Sequence, residues 1–157
     1  MQAEKIKFLS KRETKIVEKI LEKNYGAKLD FSNAVLAKTS EEKIWVVAKD
    51  IKGLDISKLK VISAGLYLGR LKANNKIILS IEGCQLVGKY ATRNIAILNE
   101  AEAKKFVQGM DADVEKSVDC EERNFVLVKH ENDFLGSGKF LANRVENLIS
   151  KGRRLVV

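Results

Sequence analysis

The chain of 157 residues has no proline, one histidine and two cysteines. His130 is the only histidine, which leaves too few residues for the common catalytic sites. We predict that it lies on the surface in the turn 130–133. Cys84 and Cys120 are far apart in the sequence, which indicates neither a disulfide framework nor a zinc site. A phosphate-binding glycine loop is also absent. We therefore predict a protein that is not an enzyme and that needs no metal or cofactor.

Long apolar runs are missing as well. All are far shorter than the ~20 residues that a helix needs to cross a membrane, and residues 1–5 lack the charged-then-apolar layout of a signal peptide. We expect a cytoplasmic protein with no membrane partner. Proline is the strongest stop signal, and the chain has none. The ends of the predicted elements are therefore placed from glycines and helix caps.

The net charge of +8 is unevenly distributed along the chain. Residues 1–91 hold 18 Lys and Arg against 10 Asp and Glu, whereas residues 92–157 hold 11 of each. Within the second part, residues 111–122 carry six acids and one lysine, and residues 139–157 carry five bases and one acid. A basic chain predicts a polyanionic partner, and this distribution favours the C-terminal bases over the acidic stretch as its contacts.

The first predicted element is an amphipathic helix. Ser10 and Glu13 have the spacing of a capping box, and Gly26 can end the helix. We expect a solvated charged face, with RNA binding by this helix as the alternative. Helical spacing predicts one apolar stripe, formed by Ile16, Val17, Ile20 and Leu21. It also predicts ion pairs of Lys15 and Lys19 with Glu18 and Glu22.

Two β-hairpins are predicted after this helix, over residues 30–50 and 61–81. Trp45 lies among β-branched residues of the first hairpin, so we predict a core position, with base stacking as the alternative. Gly65 and Gly69 fall inside a strand of the second hairpin. Glycine in a strand indicates a bulge or a close approach of two backbones.

Residues 51–60 predict a short helix or turn between the hairpins, and a further helix opens at residue 80 and runs to about residue 90. The cap and turn signals divide the chain near Thr92. We therefore predict an α+β protein with an N-terminal α/β companion domain of antiparallel hairpins at 1–91 and a second domain at 92–157.

The second domain begins with an apolar strand at residues 95–98 and a helix at residues 100–108. Asn99 can cap this helix and Gly109 can adopt the left-handed conformation after it. Ala101, Phe106 and Val107 are predicted to face inward. The remaining pattern predicts a strand at 110–114, a charged loop at 115–124, strands at 125–128 and 134–140, and a short element around 145–149.

Six motifs in register resemble one protein family. They are SAGLYLG at 63–69, LSIEG at 79–83, LVGKYA at 86–91, FVQGMD at 106–111, DFLGSG at 133–138 and KGRRL at 151–155. The chain resembles archaeal relatives of the nucleolar pre-rRNA-processing proteins of the Nip-seven type, in which a companion domain precedes a PUA domain. The resemblance implies a C-terminal PUA pseudo-barrel and a non-catalytic RNA-binding role in rRNA processing and large-subunit ribosome assembly.

The resemblance also implies partners, namely rRNA and other ribosome-assembly proteins. The alternative is an adaptor whose PUA domain docks an RNA-modifying enzyme onto its RNA. Arginine forks and lysine charges suit phosphate groups. The alternative for the C-terminal arginines is a frayed solubilising tail, and for the helix lysines it is charge complementarity at a helix C-terminus. The candidate RNA-binding residues are Arg93, Lys104, Lys105, Lys139, Arg144, Lys151, Arg153 and Arg154.

Overall fold

A computed structural model of the chain describes residues 6–49 and 65–155. These residues form two β-sheets and three α-helices. The predicted short helix or turn at 51–60 and the first part of the strand predicted from residue 61 lie outside the described residues. No helix within the two described ranges is long and apolar enough to cross a membrane.

The first sheet is antiparallel throughout, with its strands in the order β1-β2-β3-β4-β5. Both predicted hairpins are confirmed, as β2–β3 and β4–β5. Three residues, Ala73 to Asn75, connect the second hairpin, and Asn74 and Asn75 have φ of +64° and +57°, a left-handed backbone that asparagine tolerates. The strands are β1 (Lys7–Phe8), β2 (Ala34–Lys38), β3 (Lys43–Ala48), β4 (Gly65–Lys72) and β5 (Lys76–Leu79).

Helix α1 (Lys11–Tyr25) covers one face of this sheet. The predicted capping box at Ser10 and the left-handed Gly26, with φ of +65°, are both confirmed. The predicted apolar stripe is wrong at Ile16, because this residue is 50% exposed. The buried side of the helix includes Tyr25 instead, which is fully buried. The predicted ion pairs along the helix do not form. Glu18 instead accepts a hydrogen bond from the Phe31 amide at 3.3 Å.

The two glycines of β4 confirm the predicted close approach of backbones. A Cβ at Gly69 would overlap the carbonyl oxygen of Ile78 on β5. The pairing of β3 with β4 also shifts register between Gly69 and Tyr67, which marks a bulge. Trp45 is a core residue as predicted, since it is 9% exposed, lies 5.0 Å from the Tyr67 ring and donates from its indole nitrogen to Thr39.

Helix α2 (Ile81–Gly88) lies between the two sheets and begins at the cap residue Ser80. A Cβ at Gly83 would overlap the Leu68 carbonyl oxygen of β4, and one at Gly88 would lie 2.5 Å from the ring of Phe134 in the second sheet. The helix therefore approaches both sheets more closely than a side chain would allow.

The second sheet is curled and has the strand order β7-β11-β10-β9-β6-β8. One pair, β6 with β9, is parallel, and the others are antiparallel. Helix α3 (Glu100–Val107) follows β6 and is capped by Asn99 as predicted. The strands are β6 (Ile95–Ile97), β7 (Ala112–Asp113), β8 (Lys116–Val118), β9 (Phe125–His130), β10 (Asp133–Leu141) and β11 (Arg144–Asn147).

Three predictions for this half are corrected. Ala101 is exposed, and Ala103 is buried in its place beside the fully buried Phe106. The charged stretch 115–124 is not all loop, because it contains β8, which pairs with β6. His130 flanks the predicted turn at the end of β9 but is half-buried rather than on the surface, and its Nδ1 is 2.9 Å from the carbonyl oxygen of Leu98.

One hydrophobic core joins the two sheets. Ile95 and Leu127 of the second sheet belong to the same buried cluster as Leu79, Cys84 and Val87. Burial raises the pKa of the Cys84 thiol to about 12, so it stays protonated and inert at neutral pH. Cys84 and Cys120 are both free thiols, and Cys120 is partly buried.

Candidate nucleic-acid interface

The basic C-terminal segment is held against the end of α3. After β11 the chain forms a 3₁₀ turn at Lys151–Arg153, and the Leu155 amide donates to the carbonyl of Val107 at 2.8 Å. Arg154 lays its side chain over Gly109, where a Cβ would overlap it, and its Nε donates to the Ile149 carbonyl at 3.2 Å. This segment is therefore not a frayed tail. Gly109 has φ of +102°, which confirms its predicted positive φ.

Arg153 is tied to the first half of the chain. Both of its terminal nitrogens donate to the carboxylate of Glu82 in the first turn of α2, one of them at 3.2 Å. The hydrogen bonds from Arg153 lower the pKa of Glu82, and the carboxylate in turn raises the pKa of Arg153. Lys151, by contrast, is exposed and has no ion-pair partner in the described part of the chain.

A second group of charges connects α3 to β7 and β11. Lys105 pairs with Glu102 at 3.2 Å, and the Glu102 carboxylate also accepts from the Asp113 amide at 2.9 Å. These two contacts, the amide first, lower the pKa of Glu102. Arg144 pairs with Asp113 at 2.7 Å. The neighbouring Lys104 is 72% exposed and lies 3.7 Å from Glu100.

Arg93 and Lys139 lie in other surroundings. Arg93 pairs with Glu121 and, at 3.5 Å, with Asp119, so it is neutralised by the acidic stretch. Lys139 is half-buried in the middle of the sheet, opposite Glu146 on β11, and forms no ion pair with the described residues.

The structure thus brings five of the eight predicted residues to one end of α3. We call this the tail surface, and it consists of Lys104, Lys105, Lys151, Arg153 and Arg154. Arg144 adjoins it through Asp113 and Glu102. The side chains of Lys104, Lys105 and Arg153 are 72%, 52% and 48% exposed, which leaves their charges accessible to a phosphate group.

A cleft of about 380 Å³ adjoins the tail surface between the two sheets. The candidate residues named from the sequence include one side chain of this cleft, Arg153, and miss Tyr67 and Arg70 of β4. The sequence did contain a signal for this cleft, because the motifs at 63–69 and 79–83 supply some of the residues that line it. The cleft is lined by Tyr67, Arg70, Ile78, Leu79, Ser80, Ile81, Ser137, Leu148, Ile149, Ser150 and Arg153.

Comparison with known proteins bears on the second half most directly. A family model described as the PUA domain of methyltransferase RsmF matches residues 93–155. A crystal structure of a PUA domain from Aeropyrum pernix K1, in complex with tartrate, is similar at a TM-score of 0.58 and 12% identity, covering 96% of this chain and 88% of that chain. A search of curated proteins gives no match.

At 12% identity the structural similarity shows the fold alone, and it confirms the predicted α+β architecture with a PUA pseudo-barrel. Among the described residues no group of three or more His, Cys, Asp or Glu is placed to hold a metal ion. Residues 93–155, which the family model matches, form a PUA domain. The presence of this domain suggests RNA binding.

Proposed function

We propose that this protein is a non-catalytic RNA-binding factor that contacts RNA phosphates through the tail surface. The observation that carries the proposal is a basic segment fixed on the end of α3 within a PUA domain. An ordered segment binds with a smaller loss of conformational entropy than a disordered one. Lys151 and Lys104 supply exposed point charges, and Arg154 supplies a planar fork.

The ion pairs of the tail surface are compatible with this role. Exposed pairs contribute little to stability and are screened by salt, so exchanging a carboxylate for a phosphate costs little. The pairs of Lys104 and Lys105 both lie within one helix. The Lys104–Glu100 pair is of this exposed kind, whereas the Glu102 partner of Lys105 is only 14% exposed. Arg93 has the opposite character, since two acids hold it, and we assign it to structure rather than to RNA.

The cellular role that we propose is rRNA processing and assembly of the large ribosomal subunit in the cytoplasm, together with other assembly proteins. Support comes from the six sequence motifs that resemble the Nip-seven type of protein. That family assignment stays a prediction.

A second candidate is an adaptor that brings an RNA-modifying enzyme to its RNA. It is favoured by the family model, whose description places this kind of PUA domain in a methyltransferase. In that case the isolated protein should bind RNA weakly and gain affinity with its partner.

Crosslinking of RNA to the protein in cells, followed by sequencing of the bound RNA, tests the proposed role. We expect enrichment of precursor or mature large-subunit rRNA over its share of total RNA. Enrichment of tRNA or mRNA with no rRNA signal would contradict the ribosomal role. RNA recovery that depends on a co-purifying methyltransferase would favour the adaptor.

A further inference from the structure

The cleft between the sheets combines apolar side chains with arginines. Its floor is apolar, formed by Ile78, Leu79, Ile81, Leu148 and Ile149. Its volume of about 380 Å³ falls in the range of small-ligand pockets, which starts near ~300 Å³.

Polar groups surround that apolar floor. Arg70 and Arg153 line the cleft from opposite halves of the chain. The positive N-terminal end of α2, at Ser80 and Ile81, faces the same space.

Arg70 is only partly satisfied by protein atoms. One terminal nitrogen donates to Glu41 at 3.1 Å, and the side chain is 38% exposed. Its Nε is buried without an acceptor among the described residues. Because the rest of the side chain is partly exposed, a ligand oxygen that reaches its terminal nitrogens would be held by a charge-assisted hydrogen bond.

Tyr67 supplies an aromatic surface at the mouth of the cleft. Its ring is held by Trp45 at 5.0 Å, which fixes its orientation, and the residue remains partly exposed. Burial raises the pKa of Tyr67, an effect that the nearby Arg70 partly offsets, so the phenol stays protonated at neutral pH and can donate a hydrogen bond. Aromatic rings of this kind stack on nucleobases of any sequence.

We propose that this cleft binds one nucleotide, its base and sugar against Tyr67 and the apolar floor and its phosphate at Arg70 and Arg153. The inference rests on the proposed RNA binding and extends it to the first half of the chain. Continuity supports it, because Arg153 belongs both to the cleft and to the tail surface. Glu41 and Glu82 pair with the two arginines, so the proposal relies on contact with the base as well as on charge.

Two substitutions test the cleft without touching the tail lysines. Ser150→Phe fills the cleft from an exposed position, and Ser150→Ala is its matched control. Arg70→Gln removes one charge, and Arg123→Gln removes one from an exposed turn beside the acidic stretch. The probes are a labelled 12-nucleotide single-stranded RNA of mixed sequence and free nucleoside 5′-monophosphates, and circular dichroism checks the fold of each variant.

We expect Ser150→Phe and Arg70→Gln to weaken RNA binding about tenfold, within the range measured for one stacked base or one charged hydrogen bond. Arg70→Gln should also flatten the logarithmic salt slope by ~0.7, the value for one phosphate contact. The two control variants should bind like the wild type. Competition by free monophosphates would assign the site to nucleotides in general, and its absence would assign it to nucleotides within a strand.

Binding unchanged in both cleft variants, with the wild type binding RNA, overturns this inference and leaves the proposed function standing. Weakening in Ser150→Ala equal to that in Ser150→Phe also overturns it, because filling the cleft would then not be the cause. Failure of the wild-type chain to bind any RNA overturns both proposals.

Discussion

Arg153 and Glu82 join the tail surface to α2 through one ion pair, and its pH dependence follows from the pKa shift. The pKa of Glu82 is lowered from its usual 4.5 by Arg153, so the folded state binds fewer protons than the unfolded state in acid. The stabilisation is therefore present above about pH 4.5 and is lost as the pH falls through the folded pKa.

Glu82→Gln tests this pair. Because the pair is partly exposed, we expect the free energy of unfolding at pH 7 to fall by no more than about 1 kcal/mol, and the difference from wild type to shrink at pH 3. Urea unfolding at the two pH values measures both. Glu115→Gln, at an exposed carboxylate with no ion pair in the described structure, is the control and should show no such trend. A difference that is equal at both pH values would contradict the ion-pair explanation.

Predictions for single residues were correct where the conformation depends on neighbours in the chain. They were wrong where burial depends on tertiary packing. The caps at Ser10 and Asn99 need only neighbouring backbone amides, and both were predictable. Ile16 and Ala101 fit a helical stripe but lie at its edge, where the neighbouring strands decide how far burial extends. His130 is half-buried because its ring meets Leu98, a contact between distant residues.

Among the elements, helix α2 lies between the two sheets, so its residues have little room for larger side chains. Ala at Gly83 would improve helix propensity by up to ~1 kcal/mol. The added Cβ, however, overlaps the backbone carbonyl of Leu68, which cannot move without distorting β4. We therefore expect the clash to dominate.

Gly83→Ala should lower the free energy of unfolding by about 1–3 kcal/mol, the usual cost of overpacking. The measurement is the urea midpoint at constant slope. Gln85→Ala, on the exposed face of the same helix, should stay within about 0.5 kcal/mol of wild type. A Gly83→Ala protein as stable as Gln85→Ala would mean that α2 does not approach β4 this closely.

The sequence predicted most elements and missed one strand for a physical reason. Hairpins and helices show their own periodicity and caps, and these were found. Strand β8 is charged, with Lys116 at its start, and it exists because β6 offers an open edge. Such pairing depends on the tertiary arrangement. The order of the tail depends likewise on Gly109 and Val107, over 40 residues earlier in the chain.

At the scale of the molecule, a shared hydrophobic core packs the two halves against each other. Leu127 of the PUA domain is buried in the same cluster as Leu79 of the first sheet. The cleft and the tail surface share Arg153, so the two proposed RNA contacts adjoin each other. Neither the shared core nor the cleft could be predicted from sequence, because each is formed by side chains from several distant elements.

Salt-dependent RNA binding by a tail variant tests the central claim, that the tail surface holds RNA phosphates. The variant Lys151→Gln, Arg153→Gln, Arg154→Gln is compared with Arg12→Gln, Lys15→Gln, Lys19→Gln, which removes the same charge from the exposed face of α1. Binding of a single-stranded RNA is titrated at several salt concentrations. For three lost phosphate contacts we expect the tail variant to flatten the logarithmic slope by about 2, with the α1 variant close to wild type. An unchanged slope in the tail variant, or an equal change in the α1 variant, would contradict the claim.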